Sequence, residues 1–459
     1  MTRTVNIDRG CVDDRKSDCR ALRVLYIADT MAQGGAGRSL LFLIQSLPKG
    51  WVEPHLLCPP GYAVDAFTRT GVRVHHVPGV SAFLSIRGVP LRGWRLLSLI
   101  RTLWFLRYGP RIRRVLQYVQ PDLVHLNERG LFQAATLAHR AGIPVVMHAR
   151  SVADRETWWI WNLSTWLTQR YVDVVIAISE SVRRSLREIE GCTVIYNPLD
   201  DGVTKISPEC TKLSRAAART SSGTEAIRVA YVGNLLGYKG ISELLEAARI
   251  LRSRRDILFE IAGGNSRPKE FYRSPVGRFL QLVGVVRDVE QEAYDFVARE
   301  GLRETVKMLG HVEDVTTVLG RADILVFPSH LNAPGRSVYE AGARGIPAIV
   351  AMADNVEDIV VDGVTGLIIK EQDPRALAEA IQRLAGDAIL RTRLGANARE
   401  KYSRQFDPVR IGRQVLDVYE SLIANRPVAM RRVAAVSTLP GAGCSDLAGA
   451  DMDRTRSRR

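Results

Sequence analysis

The stretch FPSHLNAPGRSVYEAGARGIPAIV contains residues that could bind a nucleotide. An apolar strand runs into a loop, and a helix is expected to begin near Arg336. Pro334 and Gly335 expose the backbone at this helix entry, so the free N–H groups from Gly335 to Ser337 can face a diphosphate. Glu340 follows on the first turn or so, where its carboxylate can accept hydrogen bonds from two ribose hydroxyl groups. The alternative is that Glu340 only complements the helix dipole.

Lys239 is a second residue that could hold a phosphate. In YVGNLLGYKGISELL a strand is expected to end at Gly233, and Lys239 comes just before the next helix. Because ligands bind beyond the carboxyl ends of strands in open α/β sheets, a lysine here can reach a phosphate held by loop amides. The alternative is a surface lysine beside the turn glycine Gly240.

Glycines, a histidine and an arginine mark a possible binding site in the first half of the chain. Gly34 and Gly35 belong to a turn that could approach a bound phosphate, although a tight turn needs glycine in any case. Arg150 follows a strand that ends at His148, and it could bind an acidic or phosphorylated group. The first half therefore also carries candidates for ligand binding.

Short buried strands that alternate with helices must position these residues. Strands are predicted at 21–29, 55–58, 72–76, 123–126, 145–148, 174–178, 193–196, 227–233 and 257–264 and in the runs VKMLG, ADILVFPS, IPAIVA and GLIIK. A glycine-rich turn over 31–39 precedes a predicted helix over 40–47, and an amphipathic helix is predicted near 409–424. This alternation predicts an α/β protein with two doubly wound domains that face each other across a cleft.

Composition and charge narrow the class of protein. The chain has 459 residues, of which 46% are apolar and 25% charged, as is typical of a globular enzyme. The formal net charge of 64 − 49 = +15 suggests a polyanionic partner such as a nucleic acid, an acidic membrane surface or a phosphorylated substrate. The six cysteines lack metal-ligand spacing. No signal peptide or membrane-spanning run is recognised, so we expect a cytoplasmic location.

Motifs in a fixed order along the chain identify a family. They are Gly34-Gly35-Ala36, PDLVHLN (121–127), Tyr196-Asn197-Pro198, Gly233, Lys239-Gly240, Pro328-Ser329, Gly335-Arg336-Ser337, Glu340-Ala341, Gly345-Ile346-Pro347, GVTGLII (363–369) and a helix start at 373–380. Together they resemble the family 4 retaining glycosyltransferases, which have the two-domain GT-B fold and use nucleotide-activated sugars. The resemblance covers roughly residues 22–425.

The resemblance implies roles for individual residues. A nucleotide-sugar donor would contact Gly35, Gly233, Asn234, Lys239, Pro334, Gly335, Arg336, Ser337 and Glu340, and the acceptor side would include Gly34, Gly35 and Arg150. His148 matches a histidine near the transferred sugar, although a core histidine is the alternative. Retention without a clear protein nucleophile implies a front-side route, in which Lys239 and helix amides stabilise the leaving diphosphate. No Asp-x-Asp motif occupies a donor position, so we expect no essential metal or other cofactor.

Two positions depart from the family pattern. Asn332, a catalytic candidate together with Lys239 and His148, stands where the family usually has glutamate, and Asn234 stands where it often has arginine. An asparagine can still hydrogen-bond but carries no charge. These departures leave open a non-catalytic sugar-nucleotide-binding homologue that acts as a sensor or scaffold.

Other nucleotide-binding classes are excluded by the sequence ADTMAQGGAGRS. It departs twice from the P-loop pattern and also fails the dinucleotide-binding G-x-G-x-x-G pattern, so an NTPase or an oxidoreductase is not expected. No basic motif interleaved with aromatic residues indicates nucleic-acid binding.

The resemblance and the two strand series together divide the chain. The predicted segments are a disordered tail (1–20), an N-terminal acceptor-side domain (21–200), a linker (201–227), a C-terminal nucleotide-sugar-binding domain (228–400), a helix that crosses back to the first domain (401–426) and a second disordered tail (427–459).

A basic stretch over 91–120 is the most informative surface feature. Residues 91–117 hold seven arginines and no acid, and Trp94, Leu97 and Trp104 recur at helical spacing. Such a helix can lie on an anionic bilayer, and the alternative is a solvated helix whose apolar side packs on the domain core. We expect a saccharide or lipid-linked acceptor in surface polysaccharide, lipopolysaccharide or glycolipid assembly, with the protein peripheral on the inner face of the membrane.

Overall fold

The computed structural model describes most of the chain in ten stretches. They are residues 20–29, 35–61, 64–80, 106–152, 158–200, 226–265, 267–312, 314–330, 335–352 and 359–425. The predicted linker and the two predicted tails lie almost wholly outside these residues. So do the candidates Gly34, Asn332 and Pro334 and the part of the basic stretch before residue 106.

The first half of the chain forms a seven-stranded parallel sheet in the order β3-β2-β1-β4-β5-β6-β7. Its strands are β1 (Leu22–Ile27), β2 (Val52–Cys58), β3 (Arg73–His76), β4 (Leu123–Leu126), β5 (Val145–Ala149), β6 (Val174–Ala177) and β7 (Cys192–Val194). The central strands read as apolar runs because helices cover both faces of the sheet. Every strand predicted in this half is present, with ends that differ by a few residues.

Helices connect these strands. They are α1 (Gly35–Ser46), α2 (Val64–Arg69), α3 (Gly109–Val119), α4 (Phe132–Arg140), α5 (Trp158–Tyr171) and α6 (Glu180–Ser185), with a 3-10 turn at Leu106–Tyr108. The predicted turn over 31–39 is wrong for its second part, because α1 already begins at Gly35. Burial of Leu40 and Leu43 against the sheet stabilises this helix despite its glycine-rich start.

The second half forms a six-stranded parallel sheet in the order β10-β9-β8-β11-β12-β13. Its strands are β8 (Ile227–Val232), β9 (Ile257–Ala262), β10 (Val306–Gly310), β11 (Ile324–Phe327), β12 (Ala348–Ala351) and β13 (Gly366–Ile369). All were predicted. The strand order reverses between β8 and β11, and such a reversal opens a crevice at the carboxyl ends of the strands.

The helices of the second half include several that the sequence did not indicate. They are α7 (Ile241–Ile250), α8 (Lys269–Arg273), α9 (Pro275–Leu282), α10 (Val289–Arg299), α11 (Val315–Arg321), α12 (Arg336–Ala343), α13 (Pro374–Gly386), α14 (Ala388–Gln405) and α15 (Pro408–Ala424), with a 3-10 turn at Gly237–Lys239. Helix α12 begins at Arg336, as predicted. The pair α8–α9 is inserted between β9 and β10.

Helix α15 packs on the first half of the chain. A carbon placed on Gly412 as a side chain would lie only 1.9 Å from the carbonyl oxygen of Ser46, so the helix touches the end of α1 directly. Further along, the Tyr419 hydroxyl lies 2.7 Å from Nδ1 of His125 and 3.4 Å from the Tyr26 hydroxyl. These buried polar contacts fix the helix against β1 and β4.

The described part of the basic stretch is not a free amphipathic helix. In α3 the apolar residues Ile112, Leu116 and Val119 are buried in the core of the first sheet. Over this helix the apolar side packs on the domain core. The residues on which the bilayer prediction depends, Trp94, Leu97 and Trp104, lie outside the described residues, so contact with a bilayer stays a prediction. Among the residues that the structure describes, no helix combines the length and apolar character needed to cross a bilayer.

The Gly412 contact gives a stability prediction. Gly412→Ala places a methyl group against a backbone carbonyl that cannot rotate away, so we expect about 1–3 kcal/mol of destabilisation in urea unfolding. Gly320→Ala is the matched control, because it lies in helix α11 with no atom within 4 Å of the new carbon. The control should be neutral or more stable by about 0.5–1 kcal/mol. Equal effects of the two changes would contradict the packing described.

Candidate functional site

The loop after β8 is held tightly against the loop after β9. A side-chain carbon on Gly263 would lie 1.9 Å from the carbonyl oxygen of Gly233, whose own N–H donates to the Ala262 carbonyl at 3.0 Å. The Tyr231 hydroxyl donates to the Asn234 carbonyl at 3.1 Å. The backbone of the loop is thus fixed, while Asn234 is exposed.

Lys239 is positioned by a close backbone approach. It ends the 3-10 turn, and Gly240 after it has φ 74°, a left-handed conformation that favours glycine. A side-chain carbon on Gly240 would also lie 1.8 Å from the carbonyl oxygen of Pro328. The His330 N–H donates to the Tyr238 carbonyl at 2.9 Å. The Lys239 turn is therefore joined to the segment that follows β11.

Phe327, the last residue of β11, lies between the predicted phosphate ligands. Lys239 Nζ is 5.2 Å from the centre of its ring, a cation–π distance. A side-chain carbon on Gly335 would lie 2.6 Å from the same ring. Gly335 caps helix α12 without any side-chain hydrogen bond, and Ser337 is buried in the first turn. The helix N-terminus and the lysine thus converge on one aromatic side chain.

Glu340 is almost fully buried and already has a charged partner. Its side chain is 3% exposed, and Arg336 Nε donates to its Oε1 at 2.6 Å. Arg38 from helix α1 lies 4.0 Å from the same oxygen. Glu340 is the fifth residue of α12, so the expected first-turn position is corrected to the second turn. Dipole complementation weakens beyond the first turn, so the ion pair is the stronger constraint on Glu340.

The Arg336 side chain reaches into the first half of the chain. Its Nη1 donates to Ser39 Oγ at 3.3 Å, and its Nη2 donates to the Pro198 carbonyl at 3.0 Å. The guanidinium also stacks 4.6 Å from the ring centre of Phe42. Helix α12 and helix α1 therefore meet through Arg336, and the candidate donor residues face the first sheet.

The first half contributes helix α1 and a half-buried arginine. Gly35 is exposed at the start of α1. Arg150 Nε donates to Asn127 Oδ1 at 2.7 Å, and its Nη1 donates to Asn197 Oδ1. Its Nη2 is buried and has no hydrogen-bond partner among the described residues. Burial lowers the pKa of Arg150 to about 10, partly offset by nearby Glu128, so the guanidinium stays charged at neutral pH.

His148 is wholly buried at the end of β5. Both ring nitrogens lack a hydrogen-bond partner among the described residues, and the ring lies 5.4 Å from that of His125. Burial holds the pKa of His148 well below its usual range, with Arg150 adding to the effect. Burial likewise lowers the pKa of His125 to about 3. This placement favours the core-histidine alternative for His148.

Several residues at this junction were missed from the sequence. Arg38, Phe42 and Phe327 contact the candidate residues. In the sequence they look like ordinary residues of a helix or a strand, and no motif distinguishes them. Asn127 and Asn197 accept hydrogen bonds from Arg150. Both belong to motifs of the family resemblance, and those motifs could have indicated them as site residues.

Comparison with known proteins identifies the family. The family model described as Glycosyltransferase Family 4 matches residues 33–202, and the model described as Glycosyl transferases group 1 matches residues 215–401. The chain belongs to the group 1/family 4 glycosyltransferases. Its two facing parallel-sheet units are the GT-B fold.

Two named relatives illustrate the sequence similarity. The chain is 26% identical over 259 residues to the capsular polysaccharide biosynthesis glycosyltransferase CapM of Staphylococcus aureus, covering 54% of this chain and 62% of that protein. It is 29% identical over 231 residues to the D-inositol 3-phosphate glycosyltransferase of Corynebacterium kroppenstedtii, covering 49% of this chain and 47% of that protein. The chain thus spans about half to two thirds of these relatives. Both are named as transferases, which gives no support to the sensor or scaffold alternative.

Solved structures share the fold at low sequence identity. HepE from Anabaena, solved with UDP and glucose, has a TM-score of 0.68 and 20% identity over 87% of this chain and 100% of that chain. Sucrose-phosphate synthase from Thermosynechococcus elongatus has a TM-score of 0.65 and 18% identity over 88% of this chain and 100% of that chain. At these identities the similarity establishes the fold.

Within the described stretches no group of three or more His, Cys, Asp or Glu side chains could hold a metal ion. The expectation that no metal is essential stays a prediction.

The buried histidines give a pH-dependence prediction. Because burial keeps His148 neutral in the folded state, only the unfolded chain takes up a proton below about pH 6.5. Stability should therefore fall as the pH drops, by about 1.4 kcal/mol per pH unit for this histidine. Half-buried Glu128, whose pKa is raised by desolvation, acts in the opposite direction.

His148→Gln and His148→Phe both remove the titrating ring. Whatever their absolute stabilities, both should flatten the dependence of urea-unfolding free energy on pH between about 6 and 5 by the same amount. Slopes equal to that of the wild type would show that His148 is protonated in the folded protein.

Proposed function

We propose that the protein is a glycosyltransferase that moves a sugar from a nucleotide-diphosphate sugar to an acceptor. The observation that carries this proposal is the convergence of Lys239 and the N-terminus of α12 on Phe327 at the end of β11, with Glu340 following in the second turn of α12. A lysine and free helix amides suit a diphosphate, and a carboxylate suits ribose hydroxyl groups. The relatives named as glycosyltransferases and the solved complex of HepE with UDP-glucose support the same donor class.

The donor would lie across the second sheet with its diphosphate at Lys239. Gly233 and Asn234 border this space from the end of β8. Ribose at Glu340 would share the carboxylate with Arg336, whose Nε bonds only one of the two oxygens directly. Asn332 and Pro334 remain candidates from the resemblance and lie outside the described residues.

The acceptor would approach from the first sheet, where α1 and Arg150 face the junction. The unpartnered Nη2 of Arg150 supports an acidic or phosphorylated group there. We infer a retaining, front-side transfer: the bond from the sugar carbon to the diphosphate breaks, the acceptor oxygen bonds to that carbon on the same face, and the acceptor proton passes to a diphosphate oxygen. Lys239 and the amides of α12 stabilise the negative charge on that leaving group. Such transfer would serve surface polysaccharide, lipopolysaccharide or glycolipid assembly.

The proposed donor contacts give a binding prediction. Glu340→Gln and Lys239→Ala each remove a charged hydrogen bond, worth about 1.5–3 kcal/mol, so nucleoside-diphosphate affinity should fall roughly ten- to a hundredfold. Isothermal titration calorimetry with UDP and other nucleoside diphosphates measures this, and nucleotide-sugar hydrolysis should fall in parallel. NMR of the first product anomer tests retention, and turnover with EDTA tests the metal-free expectation.

Matched surface changes control for charge and folding. Glu379→Gln on α13 and Lys307→Ala on β10 alter exposed residues of the same types, and they should keep wild-type affinity. If folded Glu340→Gln and Lys239→Ala proteins bind nucleotide as tightly as these controls, the assignment is wrong.

We further propose that the protein is cytoplasmic and attracted to an anionic membrane surface through residues 91–120. Exposed arginines on one side of α3 and in the preceding turn support this: Arg107, Arg111, Arg113 and Arg114. The attraction is electrostatic here, because the apolar side of α3 is buried.

Charge reversal tests this electrostatic contact. Arg111→Glu, Arg113→Glu and Arg114→Glu combined should reduce flotation with phosphatidylglycerol-containing vesicles at low salt, since each arginine contributes up to about 1 kcal/mol. Wild-type flotation should itself weaken as salt rises. A wild type that stays unbound at low salt would exclude this surface.

A further inference from the structure

The inserted helix pair α8–α9 and its flanks, called here the 267–288 hairpin, carries an apolar surface that nothing in the described structure covers. Leu282 is 85% exposed, Val276 63%, Phe279 59% and Val283 37%. Val276 and Phe279 lie on one side of α9, and Val283, which caps the C-terminus of the helix, continues the same spacing. A contiguous group of large apolar side chains in water marks an interaction surface.

This surface is fixed by the way in which the hairpin is built. Ser274 Oγ accepts from the Gly277 N–H at 3.0 Å and caps α9. A side-chain carbon on Gly277 would lie 1.8 Å from the Phe271 carbonyl oxygen, so the two helices touch backbone to backbone. Gln281 Nε2 donates to the Tyr272 carbonyl at 2.8 Å. Glycine and polar groups thus occupy the inner side of α9, which leaves the apolar side outward.

Positive charge surrounds the apolar surface. The exposed basic residues of the hairpin are Arg267, Lys269, Arg273, Arg278 and Arg287, against two acids, exposed Glu270 and half-buried Asp288. Lys269 and Arg287 form ion pairs with Glu290 and Glu292. Arg273 and Arg278 have no ion pair within the part of the chain that the structure describes.

A second copy of the chain is a poor occupant for this surface. Four side chains expose a few hundred Å² at most, whereas a standard protein interface buries about 800 Å² on each partner. A symmetric contact would also bring Arg273 and Arg278 of both copies together, and like charges across an interface oppose association.

We propose that the 267–288 hairpin docks on an anionic lipid bilayer. Phe279 and Leu282 enter the boundary between headgroups and acyl chains, and Arg273 and Arg278 contact lipid phosphates. The hairpin places exposed apolar side chains beside exposed arginines. An anionic bilayer matches this arrangement, because its apolar layer lies directly beneath negatively charged headgroups.

The docking surface lies beside the candidate donor site. A side-chain carbon on Gly237 would lie 3.9 Å from Nη1 of Arg287, so the end of the hairpin adjoins the turn that carries Lys239. Docking would hold this edge of the second sheet at the membrane. The inference does not depend on glycosyl transfer, and it concerns a surface separate from α3.

Vesicle binding by the full chain tests the docking. Phe279→Ser with Leu282→Ser should lower the partition coefficient for vesicles of phosphatidylcholine and phosphatidylglycerol by about tenfold or more, including at raised salt. Arg273→Gln with Arg278→Gln should weaken binding several-fold at low salt and make it less salt-dependent. Binding to pure phosphatidylcholine should be weaker throughout.

Ile389→Ser with Val409→Ser is the matched control, because these residues are 84% and 74% exposed on other helices. The control should bind vesicles like the wild type, and all variants should keep wild-type thermal unfolding and nucleotide affinity. Equal vesicle binding by the hairpin variants and the control overturns the docking. So does a wild type that self-associates through Phe279 and Leu282 and ignores vesicles. Loss of nucleotide binding in the wild type would instead contradict the proposed function alone.

Discussion

The arrangement of the two halves depends on one buried guanidinium. Arg336 is 10% exposed and contacts Glu340 on its own helix, the Pro198 carbonyl and Ser39 in the first half. A charge with so little water must keep its partners, and loss of one partner from a buried pair typically destabilises by about 3–5 kcal/mol. The Glu340 carboxylate, proposed to bind a ribose, is thus also the group that neutralises the charge of Arg336, the arginine that joins the two halves. A ribose bound at Glu340, as proposed, would therefore act on the domain junction as well as on its own site.

Backbone contacts, more than side chains, set the positions around this junction. Gly240 lies against Pro328 and Gly263 against Gly233, at distances that no side chain would allow. The loops after β8, β9 and β11 are consequently in contact with one another. Because backbone atoms have no rotamers, these contacts fix the backbone of the turn that carries Lys239. The phosphate side of the proposed donor site would therefore be largely pre-formed before any ligand arrives.

The parts of the fold that the sequence predicted are those governed by local pattern. The strands read as apolar runs because both faces of each sheet are covered, and helix α12 begins after Gly335 as its loop indicated. The helix over 40–47 was predicted, but its start at Gly35 was missed because glycine has low helix propensity, and it is packing of Gly37 and Ser39 in the structure that shows the earlier start. The link from Arg336 to Ser39 joins residues 297 positions apart, which no local signal contains. The hairpin was missed because its apolar residues face outward, contrary to the usual pattern.

Helix α15 has a consequence for the order in which the chain folds. Tyr419 contacts His125 across 294 residues, so one face of the first sheet is completed by a segment that is made after the whole second sheet. Contacts of such high contact order form slowly, because a long loop must close first. On the ribosome the first half emerges early yet lacks this cover, whereas the second sheet draws its strands from one continuous stretch, 227–369. The later-made unit can therefore reach its native packing before the earlier one, reversing the usual N-to-C order of domain folding.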